Sequence, residues 1–262
     1  MSAAIHPTAI VDARAQLGAK TIIGPYCIVG ADVVLGENCW LQHHVTLAGP
    51  MRAGAGNKFY AYCSIGQQTQ DLKYAGEPTW LEIGDENTFR EFCTVNRSTT
   101  RDGKTRVGSR GNFLAYSHIG HDCTVGDSVV FSNNGTLAGH VQVGDHAVMG
   151  GLTAVHQFCR LGRFAITGGC SKIVQDVPPF MIADGNPAKI RGINLIGMER
   201  AGFDAETVKA IKEAFRLIYR AKLNTRQAIE AIRNEIAPRE EITQLIDFIE
   251  KSERGVIRRS GN

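Results

Sequence analysis

Apolar residues recur every six positions along the first two thirds of the chain. From Ile5 the series runs through Val11, Leu17, Ile23, Val29, Leu35, Leu41 and Leu47. From Val107 it runs through Phe113, Ile119, Val125, Phe131, Leu137, Val143, Met149, Val155, Leu161, Thr167 and Ile173, with Thr167 the one polar member. Ile65, Ile83, Phe89 and Val95 keep the same phase in between. A six-residue period predicts a short strand followed by a corner. The aliphatic points inward, and a small residue four positions later packs beside it, as at Ala9, Ala15, Thr21, Cys27 and Val33. The next position after the aliphatic is often glycine (Gly18, Gly24, Gly36, Gly108, Gly126), read here as permitting the unusual dihedrals of the corner. Three such segments make one triangular coil, and successive coils stack as parallel strands about 4.8 Å apart. One coil cannot bury its own core, so the stack must be long and covered at its ends. The fold expected is mainly β, a parallel β-helix of hexapeptide repeats over residues 1–190.

Two stretches leave the pattern, 67–81 and 97–106, and read as loops ejected from the solenoid. The repeat stops near Val177, with Pro178-Pro179 and Asn186-Pro187 marking the exit. The remainder is expected to be a small helical domain over 191–262. Asp204 can cap a helix bearing Val208, Ile211, Phe215 and Ile218. Thr225 can cap a second, with Ala228, Ile229, Ile232 and Ile236 inward; a third runs near Glu240 to Ser252 with Ile242, Leu245, Ile246 and Ile249.

Composition narrows the function classes. A net charge of +3 is too weak for a nucleic-acid stripe. No apolar run is long enough to span a bilayer, and the start Met1-Ser2-Ala3-Ala4-Ile5-His6-Pro7 lacks the pattern of a signal peptide, so the expected location is the cytoplasm. Of the seven cysteines, all but Cys170 fall at the small inward phase, which makes them core fillers rather than metal ligands or disulfide partners.

The candidate chemistry lies in the histidines. One coil of eighteen residues puts His121, Gly139 and Gln157 in a column, with His118, His140 and His156 beside it and Asp122 next to His121. A neutral imidazole held by an acid can take a proton from a hydroxyl. Gly139 would let a carbonyl approach a backbone N–H as an oxyanion donor. Zinc is the alternative, since three histidines can hold it. In carbonic anhydrases of this fold, however, the local ligand pair is separated by four residues, and His118 and His121 by two.

Four segments carry a resemblance: Gln70-Asp71-Leu72-Lys73-Tyr74-Ala75-Gly76-Glu77-Pro78, His118-Ile119-Gly120-His121-Asp122-Cys123-Thr124-Val125-Gly126, Leu137-Ala138-Gly139-His140-Val141 and Ala154-Val155-His156-Gln157-Phe158. Together they resemble the acyl-[acyl-carrier-protein]–UDP-N-acetylglucosamine O-acyltransferases over essentially the whole chain. The resemblance implies a left-handed helix and transfer of a 3-hydroxyacyl chain from acyl carrier protein to UDP-N-acetylglucosamine, the first step of lipid A synthesis. It implies His121 as general base, Asp122 as its partner and Gly139 as oxyanion donor. It implies Gln70, Asp71, Lys73, His118, His140, His156 and Gln157 as cleft residues, and Asn194 and Arg200 as nucleotide contacts. It also implies a homotrimer with sites between neighbouring helices, and no metal or bound cofactor. The related N-acyltransferases carry an additional N-terminal uridine-binding domain, whereas here the repeat begins at Ile5.

The tail departs from the family pattern. Ile196 stands where an acidic contact occurs, Ala201 where a second arginine follows Arg200, and Pro187 where some members have histidine. Gly169 resembles the position that gauges acyl length, and a glycine there predicts a long chain. Arg200, Arg216, Arg220, Lys222, Arg254, Arg258 and Arg259 offer a basic patch for an acidic carrier protein.

Overall fold

The computed structural model describes residues 2–257. The chain winds as a left-handed parallel β-helix of triangular section. Every third strand joins the same face. The first face starts with Ala4–Ile5 and Ile22–Ile23, the second with Ile10–Val11 and Ile28–Val29, the third with Gln16–Leu17 and Val33–Leu35. Lateral partners stand one coil apart, Ala4 against Ile22 and Ile22 against Trp40. The register stretches twice, where Lys58 pairs with Thr88 and Thr88 with Asn112. These longer steps eject 68–79 and 97–103. Both loops are shorter than expected, because Trp80–Ile83 and Lys104–Val107 are strands.

Inside, the phase behaves as the period predicts. Phe59, Phe89 and Phe113 stack along the axis with centroids 5.3 and 4.8 Å apart, and Phe131 meets Phe113 edge-on at 5.1 Å. The six cysteines of the inward phase are buried and Cys170 is exposed. Burial pushes the Cys123 thiol up to about 12 and Cys159 to about 11, which keeps both protonated and inert. Thr167 is buried but satisfied: it accepts from Gly150 N–H at 3.0 Å and bonds Thr153 Oγ1 at 3.3 Å.

The corners differ from the expectation. None of Gly18, Gly24, Gly36, Gly108 and Gly126 has a left-handed φ. That conformation falls two positions later, on Lys20, Tyr26, Asn38, His44, Asp122 and His140 among others. Such residues cost roughly 1–2 kcal/mol each, and the stack holds them by hydrogen bonds to the preceding coil, as His44 N–H to Pro25 O at 3.0 Å. The glycines instead allow coils to close up: a Cβ on Gly36 would lie 2.5 Å from the carbonyl carbon of Gly54. The corner between the first and second faces carries an outward ladder, Tyr26, His44, Tyr62, Phe92 and Tyr116, with rings 4.8–5.1 Å apart.

After the last coil the chain is not at once helical. An antiparallel hairpin, Met181–Gly185 with Ala188–Ile193, extends the first face and turns at Asn186-Pro187. Among the described residues four helices follow: α1 Leu195–Arg200, α2 Ala205–Tyr219, α3 Thr225–Glu235 and α4 Glu240–Glu250. Asp204 caps α2, accepting from Thr207 N–H at 2.8 Å. Asn224, not Thr225, caps α3: it and Gln227 exchange side-chain and backbone bonds at 2.9 and 3.0 Å, a reciprocity open only to the residue outside the first turn. The expected inward residues Ile242, Leu245, Ile246 and Ile249 of α4 are buried. Asp176, buried in the last coil, clasps the C-terminal segment: it accepts from Arg160 N–H at 2.8 Å and Ser252 Oγ at 2.7 Å, and its own N–H donates to Gly255 O at 3.0 Å. Among the described residues no helix is long and apolar enough to cross a membrane.

Candidate active site

His121 and Asp122 turn the corner between the second and third faces, between strands His118–Ile119 and Thr124–Val125. Asp122 takes the left-handed position of that corner, with His140 and Phe158 in the equivalent places one and two coils later. The repeat therefore stacks Asp122, His140 and Phe158, while His121 sits above Gly139. Nδ1 of His121 is 2.8 Å from Oδ2 of Asp122. The ring covers Gly139 so closely that a Cβ there would lie 2.5 Å from Nε2 and 3.0 Å from Nδ1. His140 meets His121 edge-on at 5.2 Å, stacks on Phe158 at 4.7 Å, and places Nε2 3.7 Å from Asp122 Oδ2.

Asp122 is held from every side. Ser98 Oγ donates to Oδ1, Thr99 N–H donates to Oδ2 at 3.0 Å, and the Asp122 N–H donates to Thr105 Oγ1 at 2.8 Å. Burial pushes the Asp122 carboxyl up, but the bonds from Ser98, His121 and Thr99 and the nearby His140 together hold it below the usual carboxylate range. Nothing in the sequence singles out Ser98, Thr99 and Thr105 chemically. Their signal is positional: Ser98 precedes Asp122 by 24 residues, the same lateral step that pairs Thr94 with His118 across the ejected loop.

The other histidines separate. His118 lies on the second face and bonds Thr94 Oγ1 at 2.7 Å; burial, then the charge of His121, hold its imidazole below the usual value. His156 turns to the carbonyl of Gln157 at 3.1 Å, and both residues are exposed. Thr94 leads from His118 to a cleft of about 580 Å³ formed with the first ejected loop, including Gln70 and Asp71. Thr69 of that loop bonds Thr99 Oγ1 at 2.6 Å, which ties both loops to Asp122. Lys73 is exposed at the loop tip; its N–H donates to Asp71 Oδ1 at 2.9 Å.

Asn194, Arg200 and Gly169 are not beside His121 in one chain. Asn194 and Arg200 line a different cleft, of about 900 Å³, with His146, Phe164 and Ile196. The Asn194 amide is buried, donating to Phe164 O at 2.9 Å and accepting from Gly197 N–H at 2.8 Å, which caps α1. Gly169 is exposed at the corner between the first and second faces, where a Cβ would meet only Gly151 O, at 3.5 Å. The basic patch is partly spent: Arg216 pairs with Glu213, and Arg254 donates to Val174 O. Arg258 and Arg259 lie outside the described residues.

Residues 176–257 match the family described as Udp N-acetylglucosamine O-acyltransferase, Domain 2. The chain is 46% identical over 257 residues to the acyl-[acyl-carrier-protein]–UDP-N-acetylglucosamine O-acyltransferase of Thiobacillus denitrificans, covering 98% of this chain and 100% of the relative. Among solved structures, LpxA from Acinetobacter baumannii superposes with a TM-score of 0.94 at 44% identity, over 97% of this chain and 99% of that one. LpxA from Bacteroides fragilis, a UDP-N-acetylglucosamine acyltransferase, gives 0.95 at 35% identity, over 97% and 100%. Full-length similarity to O-acyltransferases sets aside the N-acyltransferase and carbonic anhydrase alternatives, and the chain belongs to the acyl-[acyl-carrier-protein]–UDP-N-acetylglucosamine O-acyltransferase family.

Proposed function

We propose that the chain transfers a 3-hydroxyacyl group from acyl carrier protein to the glucosamine 3-hydroxyl of UDP-N-acetylglucosamine, the first step of lipid A synthesis, with His121 as general base. The observation that carries this role is the ring's placement. Nδ1 is engaged by a carboxylate kept ionised at neutral pH, and Nε2 lies beside the bare backbone of Gly139. Nε2 takes the hydroxyl proton as the oxygen attacks the thioester carbonyl. The new C–O bond forms, the C–S bond breaks, and the imidazolium returns its proton to the leaving thiolate. Asp122 stabilises the imidazolium meanwhile, and Gly139 N–H meets the oxyanion. Gln70, Asp71, Lys73, His118, His140, His156 and Gln157 contact the substrates. Arg200, on the helix that Asn194 caps, meets the nucleotide, and Gly169 leaves room for a long acyl chain. No cofactor enters the scheme.

The assembly is a homotrimer in which the nucleotide groups of one protomer complete the His121 site of its neighbour. Two observations support this. Arg200 and the His121 partner Asp122 line separate clefts of one chain, and the ladder corner leaves Tyr26, Tyr62, Phe92 and Tyr116 exposed, a surface that favours a protein partner. Seven free thiols suit the reducing cytoplasm.

The test supplies 3-hydroxyacyl carrier protein and UDP-N-acetylglucosamine. His121→Ala should lose roughly 10²–10⁴ in rate; equal rates would remove His121 from the mechanism. Co-assembling His121→Ala with Arg200→Ala chains should restore about a quarter of wild-type sites if they are shared, and none if each chain works alone.

A further inference from the structure

His121, Asp122 and His140 form a second kind of unit besides a base and its support. One donor atom from each lies within 4.8 Å of the other two. Asp122 Oδ2 is 2.8 Å from His121 Nδ1 and 3.7 Å from His140 Nε2. A tetrahedral zinc ion, with ligands at about 2.0–2.1 Å, needs donors roughly 3.3 Å apart, between those two distances. The ligands are also rigid, which lowers the cost of binding. Ser98 and Thr99 pin the carboxylate, and His140 is stacked on Phe158. Two imidazoles and one carboxylate leave a fourth position for water. The cleft of about 430 Å³ lined by Asp122, His140 and Phe158 opens onto it.

We propose that this trio binds zinc and that zinc shuts the enzyme off. The reason is the tautomer of His121. In the working state the ring proton sits on Nδ1, shared with Asp122, and Nε2 keeps its lone pair over Gly139. Zinc on Nδ1 sends that proton to Nε2. The ring gains and loses no proton, and the metal exchanges water for imidazole and carboxylate. The atom that would accept the substrate's hydroxyl proton is then itself protonated. Shut-off rests on His121 as base; the binding site does not.

The experiment titrates zinc chloride into EDTA-treated, desalted full-length protein against a chelating dye, with acyl transfer measured in parallel. Wild type should retain one equivalent. His140→Asn should bind more weakly by over the roughly 10–100-fold lost with an outer-shell partner. At free zinc ten times its Kd the rate should fall about tenfold and recover with EDTA. Cobalt(II) in the wild type should give the visible band of a four-coordinate site, which reads the trio without any variant. No retained zinc, or equal retention by His140→Asn, overturns the site. So does loss of zinc in His43→Asn, because His43 and His44 form a surface pair with Nδ1 atoms 3.0 Å apart. Zinc bound at the trio with an unchanged rate overturns the shut-off together with His121 as base. Absence of zinc beside an inactive His121→Ala overturns the site alone.

Discussion

Nδ1 of His121 and Oδ2 of Asp122 are 2.8 Å apart although the residues are sequence neighbours, whose side chains on a regular strand would point to opposite faces. The corner makes the pair possible. Asp122 has φ 59°, which swings its side chain back toward the ring before it. The same carboxylate reaches across one coil to Ser98 and Thr99.

Asp122→Asn tests what the charge contributes. The amide keeps the volume but sets an NH₂ group against donors and no longer balances an imidazolium. The rate should fall by roughly 10²–10⁴, with KM for UDP-N-acetylglucosamine little changed, as steady-state kinetics would show. A change confined to KM would make Asp122 a binding group only.

Gly139→Ala is expected to separate stability from activity. Gly139 has no left-handed φ, so alanine suits its backbone, yet the Cβ would press on His121 Nε2 from 2.5 Å. The ring must move, and the rate should drop about 10²-fold, the scale of a misplacement of about 1 Å. Thermal unfolding should change far less. Retention of full activity would show that His121 has no fixed working position.

Asp176 ties the C-terminal segment to the last coil, and burial holds its carboxyl above the usual range despite bonds from Ser252 and Arg160. A raised folded-state value favours folding most below the unfolded carboxyl pKa, and the benefit is lost as pH rises through the folded value. Asp176→Asn should flatten that part of the stability–pH curve. Asp176→Ala, which strands the Arg160 N–H and the Ser252 hydroxyl, should cost about 1–3 kcal/mol per stranded group. Denaturant unfolding at several pH values reads both, and identical curves for Asp176→Asn and wild type would refute the titration.

The start of α3 offers a local test. Asn224→Ala removes the side-chain half of the reciprocal cap, its own N–H still donating to Gln227 Oε1, and should cost about 1 kcal/mol, whereas Thr225→Ala should be close to neutral. The reverse order in urea melts would return the cap to Thr225.

The sequence by itself determined whatever depends on phase. A solenoid repeats one local decision, so the position of a residue in its hexad settles whether it points inward. Six cysteines, the phenylalanine stack and the alignment of His121 over Gly139 were legible for that reason. So were the amphipathic helices, whose faces are set by spacing alone. Tertiary structure decided whatever depends on contact between coils whose separation in the chain is not constant. Gly66 apart, which has φ 78°, the glycines after the inward aliphatics answer to the next coil rather than to their own dihedrals, so the role of most was misread from the sequence. Ser98 and Thr99 reach Asp122 because an ejected loop lengthens one step of the register. His118 and His156 share the neighbourhood of His121 by count but turn to Thr94 and Gln157, since the corner, not the spacing, aims a side chain.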